Sequence, residues 1–375
     1  MIPLNENLFR LKPSAIRRFT AMAKDVPDCV MLTLGEPDLC TPQEVKDAAI
    51  AALKDDQTHY APNQGTAALR QAIADYETRR GMVTSPDQVL ATVGATEALS
   101  TAMEGILNPG DQVIVLTPAY PLYESLATLA GCKTVKIDIS RDGFRLTRQA
   151  LDAAITDKTR AIVLNSPNNP TGTVPDAESL RNLKDAILGK PIWLVCDNVY
   201  SQLSYGNVPD ITLDPELAPQ RILCQSFSKP YAMTGWRIGY LTAPLQVTEK
   251  LLLLHAARVS CLPTFVQSAC LAALKWDTRE TVELYRSRRD YVLARLEGMD
   301  LPCPRPEGAF YVFPDIRKYG MDSETFCTRM IREAAVAAVP GSCFGAEGFL
   351  RLSYCCSMER LKTGLDRMEQ FLKTL

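Results

Sequence analysis

The sequence predicts an α/β fold, in which a large domain built on a mostly parallel, seven-stranded sheet is joined to a smaller α+β domain. Three observations carry that prediction. Between residues 86 and 245, apolar runs bounded by turn formers alternate with stretches of helical periodicity, the pattern of strand–helix units that feed a parallel sheet. After Pro244 the periodicity becomes helical throughout a long stretch. Beyond it, short apolar runs and helical stretches mix without regular alternation, which suits a small α+β unit.

Taken in order, the strands of the large sheet are expected over 88–93, 112–116, 134–139, 161–164, 193–196, 222–225 and 237–242. The first run meets Gly94, and helical periodicity then holds over 95–107 until Asn108-Pro109-Gly110 stops it. Comparable helices are expected over 121–130 and 177–188. Helices over 247–258 and 266–276, and a charge-laced one from about 278 to 297, link the two domains. In the remainder, 310–313 and 350–353 read as strands, while 323–338 and 358–372 read as helices. The large domain is assigned to 40–275, and the small one to 1–39 with 276–375. No internal repeat or low-complexity tract interrupts this order.

Composition narrows the function. The 375 residues, 46% hydrophobic and 22% charged, are enough for a sizeable core. The 41 Lys and Arg are offset by 43 Asp and Glu, interspersed along the chain, so no basic block is present to condense on nucleic acid. The opening Met-Ile-Pro-Leu-Asn-Glu lacks an apolar leader, and no apolar run approaches the roughly 18 residues of a membrane span, which gives an expected cytoplasmic location. Twelve cysteines form no C-x-x-C pair and are read as reduced, mostly buried thiols, with Cys355-Cys356 the one odd pair. With only two histidines, His59 and His255, zinc sites and Ser-His-Asp chemistry rank low.

The most informative stretch is Ser226-Phe227-Ser228-Lys229-Pro230, followed by Thr234-Gly235-Trp236-Arg237. A strand ends there in hydroxyls and a lysine, with an arginine close behind. A lysine that forms a Schiff base must be desolvated, and hydroxyls with a guanidinium supply donors for a dianionic phosphate; a solvated surface lysine is the ordinary alternative. In Trp193-Leu194-Val195-Cys196-Asp197-Asn198-Val199-Tyr200, an apolar strand delivers a carboxylate at the sheet edge where ligands of open α/β sheets bind. Asp197 is suited to a protonated ring nitrogen, and Tyr200 to a phenolic oxygen; a helix cap and a packing tyrosine are the plain reading.

Three further stretches fall at strand ends and a fourth lies within a strand. Asn165-Ser166-Pro167-Asn168-Asn169-Pro170-Thr171-Gly172 is a rigid turn that presents Asn169. Val93-Gly94-Ala95-Thr96 is a strand-to-helix junction whose amides suit an anion. Tyr120, after Thr117-Pro118-Ala119, is placed to stack on a heteroaromatic ring or to pack in the core. Arg351, in Phe349-Leu350-Arg351-Leu352-Ser353, has apolar neighbours and must find an anion, either a substrate carboxylate or an internal carboxylate.

Together these residues resemble the fold-type I pyridoxal-5′-phosphate (PLP) enzymes, specifically class I/II aminotransferases related to aspartate and aromatic aminotransferases. The resemblance spans nearly the whole chain. Its markers occur in the family's order: Leu34-Gly35-Glu36-Pro37-Asp38, Tyr60 with Gly65 and Leu69-Arg70, Gly94-Ala95-Thr96, Tyr120, Asn169-Pro170-Thr171-Gly172, Asp197 with Tyr200, Ser226 through Arg237, and Arg351. The resemblance implies that Lys229 carries PLP as an internal aldimine, that Asp197 pairs with the pyridine nitrogen, and that Tyr200 and Asn169 bind the phenolic oxygen. It further implies that Ala95, Thr96, Ser226, Ser228 and Arg237 hold the phosphate. Tyr120 would stack on the ring, Arg351 would clamp the substrate α-carboxylate, and Gly35 would contact that carboxylate. Tyr60 in such enzymes reaches the phosphate of a neighbouring subunit, so a homodimer with shared sites is implied.

The implied reaction is a ping-pong transfer of the amino group from an L-amino acid to a 2-oxo acid, with Lys229 as acid-base catalyst. The segment Ser260-Cys261-Leu262-Pro263-Thr264 departs from relatives, which often carry small or hydroxyl residues there. Pro306 through Tyr311, the stretch 313–321 and Val339 through Ser342 look most similar to the branch with N-acetyl-diaminopimelate and aromatic aminotransferases. A carbon–sulfur β-lyase or another PLP enzyme on the same scaffold would use the same residues and stays an alternative, as does a non-catalytic PLP-binding regulator.

Overall fold

The structure, a computed structural model, describes residue 2 and residues 4–375. Its centre is a seven-stranded sheet in the order Val89–Thr92, Gly239–Thr242, Arg221–Ser226, Trp193–Asp197, Thr159–Asn165, Gln112–Thr117, Lys133–Asp138. Pairing is parallel from Arg221–Ser226 to Lys133–Asp138, whereas Gly239–Thr242 runs antiparallel to both its neighbours. The four central strands and the pair beyond them are buried almost along their length, as a sheet covered on both faces requires. Leu99, Ala102 and Met103 of the helix Gly94–Ile106 pack on one face with Leu251, and Leu183, Ala186 and Ile187 of Ala177–Ile187 pack on the other with Leu151.

Register, more than composition, positions the site. Asn165 lies opposite Asp197, Asp197 opposite Cys224, and Ser226 opposite Gly239. Two neighbouring parallel strands therefore end level at Asn165 and Asp197, the third runs two residues further to Ser226, and their last side chains share the C-terminal edge. The remaining strands are short. Val30–Met31 pairs in parallel with Val336–Ala337, and Leu350–Ser353 lies between Val339–Pro340 and Tyr311–Val312. Among the described residues, no helix is long and apolar enough to cross a membrane.

Two expectations need correction. The strand expected over 237–242 begins at Gly239, because Arg237 adopts left-handed backbone (φ +54°) after the turn Thr234–Trp236 and leaves the sheet. The helix expected over 323–338 ends at Ala334, where Ala335 takes φ +51° and the chain extends. Val336 and Ala337 then hydrogen-bond along Val30–Met31, and both are fully buried. Tertiary pairing overrides the helical periodicity of the alanine-rich run. The helices Ala15–Lys24, Gln43–Lys54, Ala67–Arg80 and Arg148–Ala154 add to those expected. The other predicted elements occur with ends displaced by a few residues.

Candidate active site

The strand Trp193–Asp197 ends in an aspartate that is 4% exposed. The Tyr123 phenol donates to Asp197 Oδ2 at 2.6 Å, and the Val199 N–H reaches Oδ1 at 3.4 Å. Burial raises Asp197 to about 6, against the lowering effects of those two donors and of the Lys229 charge. A cation placed against this carboxylate would restore its ionised form. Beside it, Asn165 donates to the Asp197 carbonyl at 2.8 Å and accepts from the Asn169 N–H at 2.7 Å, which ties the turn after one strand to the end of the next.

Lys229 lies in the turn just past Arg221–Ser226. Its Nζ donates to the Gly35 carbonyl at 2.6 Å, and among the described residues it has no carboxylate partner within ion-pair distance. Burial pushes its pKa down, with Arg351 and Arg237 acting in the same direction against Cys355 and Glu36. The neutral, nucleophilic amine is thereby favoured relative to a solvated lysine. Gly35 has no room for a side chain, since a Cβ there would fall 1.9 Å from the Tyr311 hydroxyl oxygen.

A group of anion donors lies at the start of the helix Gly94–Ile106. Ala95 and Thr96 occupy its first turn, and the buried hydroxyls of Ser226 and Ser228 face the same space as the Arg237 guanidinium. Glycine is required twice. Gly94 has φ +71°, and a Cβ there would meet Arg237 Nη2 at 2.8 Å; a Cβ on Gly239 would meet the Gln225 carbonyl oxygen at 2.5 Å and the Gly94 carbonyl carbon at 2.8 Å. Arg237 donates to the Thr234 carbonyl at 2.9 Å and has no carboxylate partner among the described residues. Helix amides, two hydroxyls and a guanidinium make a donor-rich cup suited to a phosphate dianion.

Arg351 is 2% exposed. Its Nη1 donates to Asn169 Oδ1 at 2.9 Å and its Nη2 to the Thr33 carbonyl at 2.5 Å, while its buried Nε has no partner among the described residues. The guanidinium carbon lies 4.6 Å from the Tyr311 ring centroid and 5.0 Å from that of Phe344. Among the described residues no carboxylate pairs with it, so the internal salt bridge open to it on sequence is not formed. A buried guanidinium with only neutral acceptors leaves room for an incoming anion.

Gly35, Ala95, Thr96, Tyr120, Asn169, Asp197, Tyr200, Ser226, Ser228, Lys229, Arg237 and Arg351 all line one cavity of about 250 Å³. Tyr60 does not; it is 91% exposed on the surface of its own chain. Of the lining residues that sequence reasoning missed, three carry polar side chains. Tyr123 holds Asp197, Tyr311 hydrogen-bonds the Tyr200 hydroxyl at 2.9 Å, and Asn165 anchors the Asn169 turn. Tyr123 follows Tyr120 by three positions across a helix start, a spacing that puts both rings on one wall, edge to face at 6.0 Å. Nothing local in the sequence distinguished Tyr311 from its aromatic neighbours.

Known proteins resemble the chain over nearly its whole length. The family profile described as "Aminotransferase class I and II" matches residues 27–368. The chain is 38% identical to a probable N-acetyl-LL-diaminopimelate aminotransferase of Bacillus subtilis, over 98% of this chain and 95% of that protein. It is 36% identical to aromatic-amino-acid aminotransferase 2 of Thermococcus litoralis, over 99% and 98%. Among solved structures, the aspartate aminotransferase of Thermus thermophilus with maleate superposes with a TM-score of 0.93 at 37% identity, covering 99% of this chain and 100% of that one.

Proposed function

The chain belongs to the aminotransferase class I and II family, and from that premise we propose that it transfers the amino group of an L-amino acid to a 2-oxo acid with PLP held at Lys229. One observation carries the reading. A single cavity gathers a buried lysine whose pKa is pushed down, a buried acid raised to about 6, a donor-rich cup and an arginine with no anion among the described residues. Each is unfavourable or idle in the free protein, and the chemical parts of PLP and an amino acid complement all four.

In this reading PLP, when bound, supplies the electron sink that stabilises negative charge at the substrate Cα. Asp197 would face the pyridine nitrogen as its counter-charge, with Tyr123 fixing the carboxylate. Ala95, Thr96, Ser226, Ser228 and Arg237 would hold the phosphate, Tyr200 and Asn169 the phenolic oxygen, and Tyr120 the ring face. Lys229 Nζ would hold the cofactor and, when free as an amine, would accept the proton from the substrate Cα as base and give it up again as acid. Arg351 and Gly35 would orient the substrate through its α-carboxylate. The proposed domain division, 40–275 against 1–39 with 276–375, sets those two residues apart from Lys229 and Asp197 in the chain. We also assign Tyr60 to the phosphate cup of a second copy in a homodimer; its 91% exposure leaves it available for that contact.

The test is the absorbance of purified protein with PLP, beside Lys229→Ala. The expected result is a visible band, absent from the variant, that bleaches with particular L-amino acids and returns with a 2-oxo acid. No band would sink the cofactor assignment, and release of pyruvate and ammonia without an acceptor would move the enzyme to the β-lyases. Relatives named for three different amino-acid substrates leave the donor to be read from which amino acids bleach the band.

A further inference from the structure

A buried polar cluster lies behind the phosphate cup and takes no part in the chemistry above. Glu97, in the first turn of the helix Gly94–Ile106, turns its carboxylate back on the turn that precedes the helix. Its Oε2 accepts from the Val93 N–H at 2.7 Å. Its Oε1 accepts from the Thr101 hydroxyl at 2.9 Å and lies 2.9 Å from His255 Nδ1. The His255 side chain, on the neighbouring helix Leu245–Arg258, is wholly buried, and that of Glu97 is 13% exposed. His255 Nε2 is buried without a partner among the described residues.

The hydrogen-bond inventory fixes the roles. The Val93 amide can only donate, so Oε2 is an acceptor. With Nε2 facing no acceptor among the described residues, a hydrogen on Nδ1 is the one that finds a partner, and it points at Oε1. Glu97 thus joins three elements: the strand end at Val93, its own helix and the helix bearing His255. The contact between the helices is close enough that a Cβ on Gly105 would meet Leu251 Cδ2 at 2.2 Å. Val93 directly precedes Gly94, whose φ of +71° sets the direction of the Ala95 and Thr96 amides and whose Cα faces Arg237. Fixing the Val93 amide therefore fixes the entry to the cup.

We propose that Glu97 and His255 are positioning residues for the phosphate end of the cofactor: the pair locks the Val93–Gly94 turn so that the Ala95 and Thr96 amides and the Arg237 guanidinium converge on one anion. Neither side chain lines the cavity, so both act through the backbone they hold. The inference rests on the PLP reading above. It makes a demand that a general stabilising role does not, because only ligands that carry the phosphate should sense the pair.

The experiment is a titration of the apoprotein with PLP and, separately, with pyridoxal, which lacks the phosphate, followed by the visible band. Glu97→Ala and His255→Leu are expected to raise the Kd for PLP about tenfold, equivalent to about 1.4 kcal/mol, and to leave the Kd for pyridoxal within about twofold. His255→Asn, which keeps a donor close to the Nδ1 position, is expected to restore most of the PLP affinity. Equal weakening of both ligands, or no weakening of either, would overturn the proposal. Should Glu97→Ala fail to fold, the His255→Leu and His255→Asn pair decides by the same ratio, and equal PLP affinity in the two would also overturn it. A wild-type protein that binds PLP no tighter than pyridoxal would instead remove the phosphate cup itself, and a protein that gives no band with either ligand would remove the PLP reading.

Discussion

Lys229 and Arg351 are buried cations on the same cavity, and the protein houses them in opposite ways. Lys229 has a single hydrogen-bond acceptor among the described residues, the Gly35 carbonyl, and its amine is biased toward the neutral form by burial. Arg351 cannot shed its proton, and two neutral oxygens with two aromatic rings fix its plane. The first arrangement leaves an amine free to change partners and protonation. The second leaves a rigid fork whose charge is completed only by an arriving anion. Burial thus tunes reactivity where a group can titrate and creates recognition where it cannot.

The largest test of this contrast is Lys229→Ala, which should lower the rate of amino transfer by at least about 10⁴-fold in single-turnover absorbance measurements. Rescue by Lys229→Arg would break the comparison, since it would mean that charge alone suffices. Asp197 supplies the next effect. A buried carboxyl raised from the usual 3.8 to about 6 is harder to ionise in the folded apoprotein than in the unfolded chain. The folded state binds the extra proton between these values, so apoprotein stability should fall as pH rises from about 4 to 6, by about 3 kcal/mol. Below that window both states are protonated and the penalty vanishes. Asp197→Asn should flatten this stretch of the pH–Tm curve, and PLP should do the same by placing a cation against the carboxylate. An unchanged slope in the variant would assign the pH dependence to other groups.

Arg351→Lys then separates charge from shape. It keeps a cation but loses the planar fork, so kcat/KM for the amino acid should drop about 10- to 100-fold. The visible band and PLP affinity should stay as they are, because Arg351 is assigned to the substrate. A variant that weakens PLP instead would join the two cations into one cofactor site and dissolve the contrast.

The Lys229 side of the cavity was far more legible in the sequence than the Arg351 side. Lys229, Asp197, Asn169 and the Gly94 turn all fall at ends of apolar runs, and strands that run the same way and end within two residues of one another bring such positions to one edge. Arg351 was visible as a charge among apolar neighbours, but its surroundings were not. Thr33 and Tyr311 reach it from distant parts of the chain, through two-residue strands too short to leave a period. The same cause lies behind the helix that was expected to run to 338. Whether Val336 continues a helix or pairs with Val30 depends on a partner some 300 residues away, and no local pattern carries that information. Tyr123 lay within reach of a helical-spacing argument, but its partner Asp197 is set by sheet order.

The strap 34–36 joins the two sides, and Cys355 gives the smallest and most selective test of it. A thiol has one proton: Cys355 Sγ donates it to the Leu34 carbonyl at 3.2 Å, and the Ser353 hydroxyl, 2.8 Å away, can donate to the sulfur in turn. The next carbonyl along the strap, that of Gly35, accepts from Lys229. The strap is also held independently, since the Ser353 N–H donates to the Leu32 carbonyl at 2.9 Å and Gly35 abuts Tyr311. Cys355→Ala should therefore cost about 1 kcal/mol of stability, read as a small drop in Tm, and change turnover only a few-fold. If the thiol were the principal support of the strap, the variant would instead impair Lys229 chemistry and Arg351 binding together, and kcat and KM would both move by an order of magnitude or more. Cys355→Ser distinguishes a lost hydrogen bond from a lost volume: a hydroxyl that keeps the Leu34 contact should recover the stability, whereas a shortfall equal to that of alanine would place the thiol's contribution in its packing.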